Sequence, residues 1–164
     1  MVLYASPKVV GENMLRISKL TDYATVIMCY LAVMPKQVVS AVQIAKEVHL
    51  SAPTVSKILK ILSEAGLVTS FRGTGGGYQL ARAVDEITLA EVVSAIEGNL
   101  AMTECCSIEN TCVLDSLCTL KDNWQIINKI ILTALDGVTL KDMLRPLTEH
   151  ALSLKGIPIR VKGF

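Results

Sequence analysis

Apolar side chains recur at three- and four-residue steps through Leu20, Tyr23, Ala24, Ile27 and Leu31, which predicts a helix opened by Ser18 or Thr21 and stopped by Pro35. A second amphipathic stretch follows Ser40, with Val42, Ile44, Ala45 and Val48 on its apolar side. Ser51-Ala52-Pro53-Thr54 then reads as a turn and a new helix start. Ser51 offers an oxygen to unbonded N–H groups of the first turn, where Pro53 loses nothing by lacking one. The third helix turns Val55, Ile58, Leu59, Ile61 and Leu62 inward, leaves Ser56, Lys57 and Lys60 outside, and ends at Gly66 in a left-handed cap. Two helices joined by a short turn, the second basic on its outer face, make a helix-turn-helix.

Behind this pair the period changes to that of strands. Residues 67–71 and 78–81 flank the glycine-rich run Arg72-Gly73-Thr74-Gly75-Gly76-Gly77, predicting a β-hairpin directly after the recognition helix, the wing of a winged helix. Gly75 and Gly76 give the tip the backbone freedom to come close to a phosphate, and Arg72 stands where it can enter a minor groove. Neither the dinucleotide fingerprint nor the phosphate-loop motif accompanies these glycines. A further helix covers residues 86–98, capped by Thr88 and ended by Gly98, and residues 99–118 show no regular period.

From Thr119 to Leu135 a long helical run carries Trp124, Ile127, Ile130, Ile131 and Leu135 on one side, with Ile126 and Leu132 widening the stripe. So broad an apolar surface on a small protein favours a helix buried between two subunits over ordinary packing within one chain. A shorter helix follows at residues 139–144. The expected architecture is mainly α with a small β-hairpin: a winged helix-turn-helix plus a long C-terminal dimerisation helix. Its parts are a flexible extension at 1–13, the DNA-binding domain at 14–98, a cysteine-rich loop at 99–118, a dimerisation region at 119–147 and an unassigned tail at 148–164.

The 164 residues are 51% hydrophobic and only 4% aromatic, as suits a folded, largely helical domain. The longest apolar run, residues 24–34, is far short of the roughly 18–20 needed to span a bilayer. The N-terminus lacks the charged start and apolar core of a secretory signal, so no membrane association and a cytoplasmic location are expected. The net charge of +1 conceals a division. Residues 15–82 hold eight basic and three acidic side chains, a balance of +5, whereas residues 83–164 hold seven basic and eleven acidic, a balance of −4. A positive half suits double-stranded DNA, and a negative half suits a separate sensing or dimerising body.

Four of the five cysteines, Cys105, Cys106, Cys112 and Cys118, fall within fourteen residues, while Cys29 belongs to the apolar pattern of the first helix. Zinc sites usually contain C-x2-4-C pairs, which this loop lacks, and a reducing compartment disfavours disulfides. A wrapping Cys106-x5-Cys112-x5-Cys118 loop is better suited to an iron–sulfur cluster. Zinc and redox-active thiols remain open alternatives on spacing alone. There is no C-x-x-C motif of a dithiol catalyst and no serine–histidine–acid arrangement. His49 and His150 read as surface or packing residues, so no enzyme activity is expected.

The stretch Leu15-Arg16-Ile17-Ser18-Lys19-Leu20-Thr21-Asp22-Tyr23-Ala24, the helix start Pro53-Thr54-Val55-Ser56-Lys57, the wing Arg72-Gly73-Thr74-Gly75-Gly76-Gly77-Tyr78 and the three-cysteine loop together resemble the Rrf2 family of dimeric winged-helix regulators, with its IscR- and NsrR-type members. The resemblance spans about residues 14–145. Ala101-Met102-Thr103-Glu104-Cys105 and Asn123-Trp124 are similar to the branch that controls SUF iron–sulfur assembly genes. It implies a homodimeric DNA-binding regulator, a repressor, that holds a 2Fe–2S or 4Fe–4S cluster at Cys106, Cys112 and Cys118. A nitric oxide or redox sensor and a cluster-free or zinc-stabilised regulator are the alternatives. The resemblance also implies that Pro53, Thr54, Ser56 and Lys57 face bases or phosphates and that Arg72 serves the wing; Lys60, Gly75 and Gly76 complete the DNA-facing set expected from the residues themselves. One position departs from the pattern. IscR-like members place a histidine three residues after the last cysteine, where this chain has Lys121, a poor ligand. NsrR-like members use an acidic residue near the N-terminus of the partner subunit, matched here by Asp22, with Cys105 the other candidate. A carboxylate in a first helical turn is also simply favoured by the helix dipole.

Overall fold

A computed structural model describes residues 17–98, 100–107, 112–113, 117–148 and 156. The extension at 1–13 and nearly all of the tail at 148–164 lie outside the described residues. Helix α1 spans Lys19–Val33, and the Ser18 side chain accepts from the Thr21 N–H as its N-cap. Helices α2 (Ala41–Glu47) and α3 (Ala52–Glu64) are opened in the same manner by Ser40 and Ser51, so three serines set the starts of the first three helices. Ile27, Met28, Leu31, Ile44, Ile58 and Leu62 are fully enclosed where these helices meet.

The turn between α2 and α3 contains His49 at φ 55°, left-handed without being glycine. The neighbouring Leu50 N–H reaches back to the Ala45 carbonyl at 3.0 Å, which closes the turn. The composition of the turn gives no sign of this geometry, because glycine or asparagine is the usual occupant.

Strands β1 (Val68–Phe71) and β2 (Gly77–Leu80) pair antiparallel, Val68 opposite Leu80 and Phe71 opposite Gly77. Leu67, Val68 and Leu80 anchor the hairpin base in the core. At the tip, Gly73 and Gly75 adopt φ 101° and 90°, a region that glycine enters without steric cost. A second anchorage has no signature in the apolar pattern. Val39, just ahead of α2, exchanges two backbone hydrogen bonds with Tyr78, at 2.9 and 2.8 Å, and so adds a one-residue third strand.

Helix α4 (Leu89–Glu97) starts in a capping box: the Glu91 N–H donates to the Thr88 hydroxyl, and the Glu91 carboxylate accepts from the Thr88 N–H at 2.9 Å. Arg82 adds an ion pair to Glu91 at 2.6 Å. Partial burial raises the Glu91 pKa, but the Thr88 and Arg82 bonds outweigh it and leave it below the usual value of 4.5. Their stabilisation is therefore complete above that value and fades as pH falls through the depressed one. Thr88→Ala is expected to cost about 1 kcal/mol in urea denaturation at neutral pH, with little change in denaturant slope.

Within 99–118, where residues 99, 108–111 and 114–116 lie outside the described residues, a 3-10 turn forms at Glu104–Cys106. Helix α5 spans Lys121–Asp136 and α6 spans Leu140–Met143. The chain returns to the head here: the Leu89 N–H donates to Val138, and the Leu140 and Lys141 N–H groups donate to Ile87 and Val84. Leu140 is completely buried in the core. Along α5 the one buried side chain is Asn128, whereas Trp124, Ile127 and Ile130 are 37%, 41% and 55% exposed.

Candidate nucleic-acid interface and cysteine loop

The outer face of α3 carries Pro53, Ser56, Lys57 and Lys60 exposed. The Ser51 cap and Pro53 set this face, since together they fix where the helix begins and hence which residues turn outward. Thr54 is half-buried, and its hydroxyl lies 2.7 Å from the Ser51 hydroxyl, within the cap. Lys57 has no ion-pair or hydrogen-bond partner for its side chain among the described residues. Lys60 reaches Glu64 at 3.9 Å, but both side chains are well exposed and such a pair holds its partners weakly.

Gly66 follows α3 at φ 71° and leads directly into β1, so the basic helix and the wing are consecutive. Arg72 and Gly75 are exposed at the wing tip. Gly76 is half-buried, and its N–H closes the tip by donating to the Gly73 carbonyl at 2.9 Å. A Cβ at Gly76 would stand 2.4 Å from the Phe71 carbonyl oxygen. That position therefore needs glycine for the hairpin's own closure, whatever it does toward a ligand.

The cysteine loop presents donors of the right kind for a soft metal or an iron–sulfur group: four thiols, none in a disulfide. Thr103 Oγ1 sits 3.1 Å from Cys105 Sγ and 3.3 Å from Cys106 Sγ, drawing the adjacent pair to one hydroxyl. Cys105 is buried, and Cys106, Cys112 and Cys118 are half-buried. Among the described residues no three His, Cys, Asp or Glu side chains stand together as a metal-binding group. Asp22 is exposed in the first turn of α1 and joins no such group either. The donor chemistry thus suits a cluster, although the described residues of one chain form no such group. Cys29 lies in α1 against the core, and burial raises its thiol pKa.

Three hydrogen bonds tie the loop and α4 to their surroundings, and none was visible in the sequence. The Met102 N–H donates to Asn128 Oδ1 at 3.0 Å, fastening the loop to the middle of α5. Glu97, at the end of α4, accepts from the Ser18 N–H at 3.0 Å and from the buried Thr21 hydroxyl. These bonds hold the Glu97 carboxyl below its ordinary pKa.

Among the described residues no helix is long and apolar enough to cross a membrane. Residues 17–146 match the Rrf2 family profile, described as an iron-dependent transcriptional regulator. The HTH-type transcriptional regulator NsrR of Halalkalibacterium halodurans is 36% identical over 132 residues, covering 79% of this chain and 90% of that protein. CymR, the global cysteine regulator of B. subtilis, superposes with a TM-score of 0.66 at 30% identity, covering 80% of this chain and 97% of the other. T. potens IscR gives 0.61 at 29%, covering 84% and 96%.

Proposed function

Because this chain belongs to the Rrf2 family of transcriptional regulators, we propose that it is a homodimeric repressor of iron–sulfur assembly genes, with DNA affinity set by a cluster at Cys106, Cys112 and Cys118. The observation that carries this reading is the placement of the cysteine loop. It leads straight into α5 and is pinned to that helix through Met102 and Asn128. Any change in how the thiols are held is therefore felt by the helix whose apolar face lies open.

That face supports the dimer. Trp124, Ile126, Ile127 and Ile130 leave a row of large apolar side chains in water, a cost that burial against a second copy removes. In the dimer the cysteine loop of one subunit approaches α1 of the other, so that the partner's Asp22, or Cys105 of the same chain, completes the donor set. The cluster supplies a redox- and iron-sensitive cross-link. The chain's own contribution is to fix the spacing of two winged heads when the loop is gathered and to relax it otherwise. Each α3 lies in a major groove, with Pro53, Thr54, Ser56, Lys57 and Lys60 toward bases and phosphates, while Arg72, Gly75 and Gly76 carry the wing to the flanking backbone.

The likeness to CymR, together with the lack of a three-donor group among the described residues, favours a second reading: a cluster-free regulator responding through the cysteines themselves. An iron and sulfide count on anaerobically purified protein, with its visible spectrum, separates the two. Stoichiometric iron and sulfide with charge-transfer absorption support the cluster; their absence leaves the thiol regulator.

The DNA head is tested independently. Lys57→Ala is expected to weaken operator binding about tenfold and to lower the salt dependence by about one counterion. Arg72→Ala is expected to weaken it less and to relax preference at the flanks. Unchanged affinity for both variants in a gel shift at fixed salt would refute the assignment.

A further inference from the structure

A cavity of about 590 Å³ opens between the start of α1, the end of α4 and the inner side of α5. It lies within the size range of small-molecule sites. Val93, Met102, Ile131 and Leu135 give it apolar walls, and Asn128 and Glu97 are the polar groups on its lining. Asn128 is 9% exposed. Its Oδ1 is taken by the Met102 N–H, but its Nδ2 donors meet no acceptor among the described residues. An enclosed amide with its donors unused is unusual in a folded protein and marks a place where an acceptor belongs. The Glu97 carboxylate, fixed by Ser18 and Thr21, gives the same cavity a negative edge.

We propose that this cavity binds a small neutral amphiphile: an apolar body carrying a carbonyl-type oxygen that accepts from Asn128 Nδ2. The walls select the apolar body, Asn128 selects the acceptor, and Glu97 rejects an anion. No cysteine lines this cavity; Cys105 and Cys106 line a smaller adjoining cleft that Asn128 also borders. The larger cavity touches both ends of the regulatory path. Met102 lies three residues before Cys105, and Glu97 is bonded to the start of α1, so an occupant bears on the loop and the head together.

Hexanamide and hexanoate, titrated into the full-length protein by calorimetry, provide the test. Hexanamide is expected to bind saturably at one site per chain, at least tenfold more tightly than hexanoate. Asn128→Asp keeps the acceptor for Met102 but removes the amide donors, and is expected to weaken hexanamide at least tenfold. Leu135→Trp fills the cavity while leaving Asn128 in place, and is expected to do the same, so it decides the matter should Asn128→Asp fail to fold. Equal binding of the two probes, or hexanamide binding indifferent to a folded variant, overturns the proposal. So does hexanamide affinity that falls as protein concentration drives association, because the cavity is then covered by a second copy of the chain.

Discussion

Cys112→Ala is expected to abolish cluster retention, lowering iron and sulfide per chain more than tenfold in anaerobically purified protein. Cys112 stands six residues from the nearest cysteine on either side, so no other thiol reaches its place without rearranging the loop. Cys106 is different, because Cys105 is adjacent and shares the Thr103 hydroxyl with it. Cys106→Ala is therefore expected to leave a partial, more labile iron content. Cys29→Ala is the control: its thiol is packed in α1, away from the loop, and wild-type iron content is expected. Wild-type iron in Cys112→Ala would remove this residue from the ligand set, and with it the three-cysteine reading. Operator affinity measured on the same samples, with and without iron, shows whether the cluster strengthens or weakens DNA binding.

Gly77→Ala is expected to cost about 2–4 kcal/mol of stability, although it adds a single methyl group. An ideal Cβ there falls 2.4 Å from the Val39 carbonyl oxygen, 2.6 Å from its carbon and 2.9 Å from the Ser40 nitrogen. All three are backbone atoms, so no side chain can rotate away. Relief comes from separating Val39 from β2, which breaks both Val39–Tyr78 hydrogen bonds and disturbs the Ser40 cap of α2. Gly75→Ala provides the comparison: it meets no atom within 4 Å and suffers only from its φ of 90°, a cost of about 1 kcal/mol. Urea denaturation of the two variants should therefore differ clearly, and equal midpoints would mean that the bridge contributes little. Because the same bridge orients the wing, Gly77→Ala is also expected to weaken operator binding where Gly75→Ala retains more of it.

The parts of this fold that were legible in the sequence are those decided by nearby residues. Ser18, Ser40, Ser51 and Thr88 act on N–H groups three residues away, so each helix start is written within one turn. The hairpin follows from alternation around a glycine run for the same reason. What escaped depends on distance along the chain. The Ser18–Glu97 bond joins residues 79 apart, and the Val39–Tyr78 bridge joins an unpatterned residue to a strand. Nothing in the apolar stripe of α5 singles out Asn128, yet it is the buried residue of that helix and accepts the Met102 N–H. His49 escaped for another reason: its left-handed φ leaves no mark on the apolar pattern from which the turn was read. The candidate site divides along the same line. Lys57 and Arg72 are exposed where their local patterns put them, whereas bringing cysteines together is a long-range matter that spacing alone does not determine.

The attachment of α5 has a mechanical consequence. Backbone bonds clamp the chain just beyond its C-terminal end to the Val84–Leu89 segment, and Asn128 provides one tie at mid-length. Sixteen residues make a rod about 24 Å long. It behaves as a lever, with the cysteine loop at its far end. A tilt of about 5° at the clamp displaces Lys121 by about 2 Å at that helix length. Leverage of this kind runs in both directions: a modest pull where the thiols sit acts with its full moment on the root, and the root is packed into the head that carries α3.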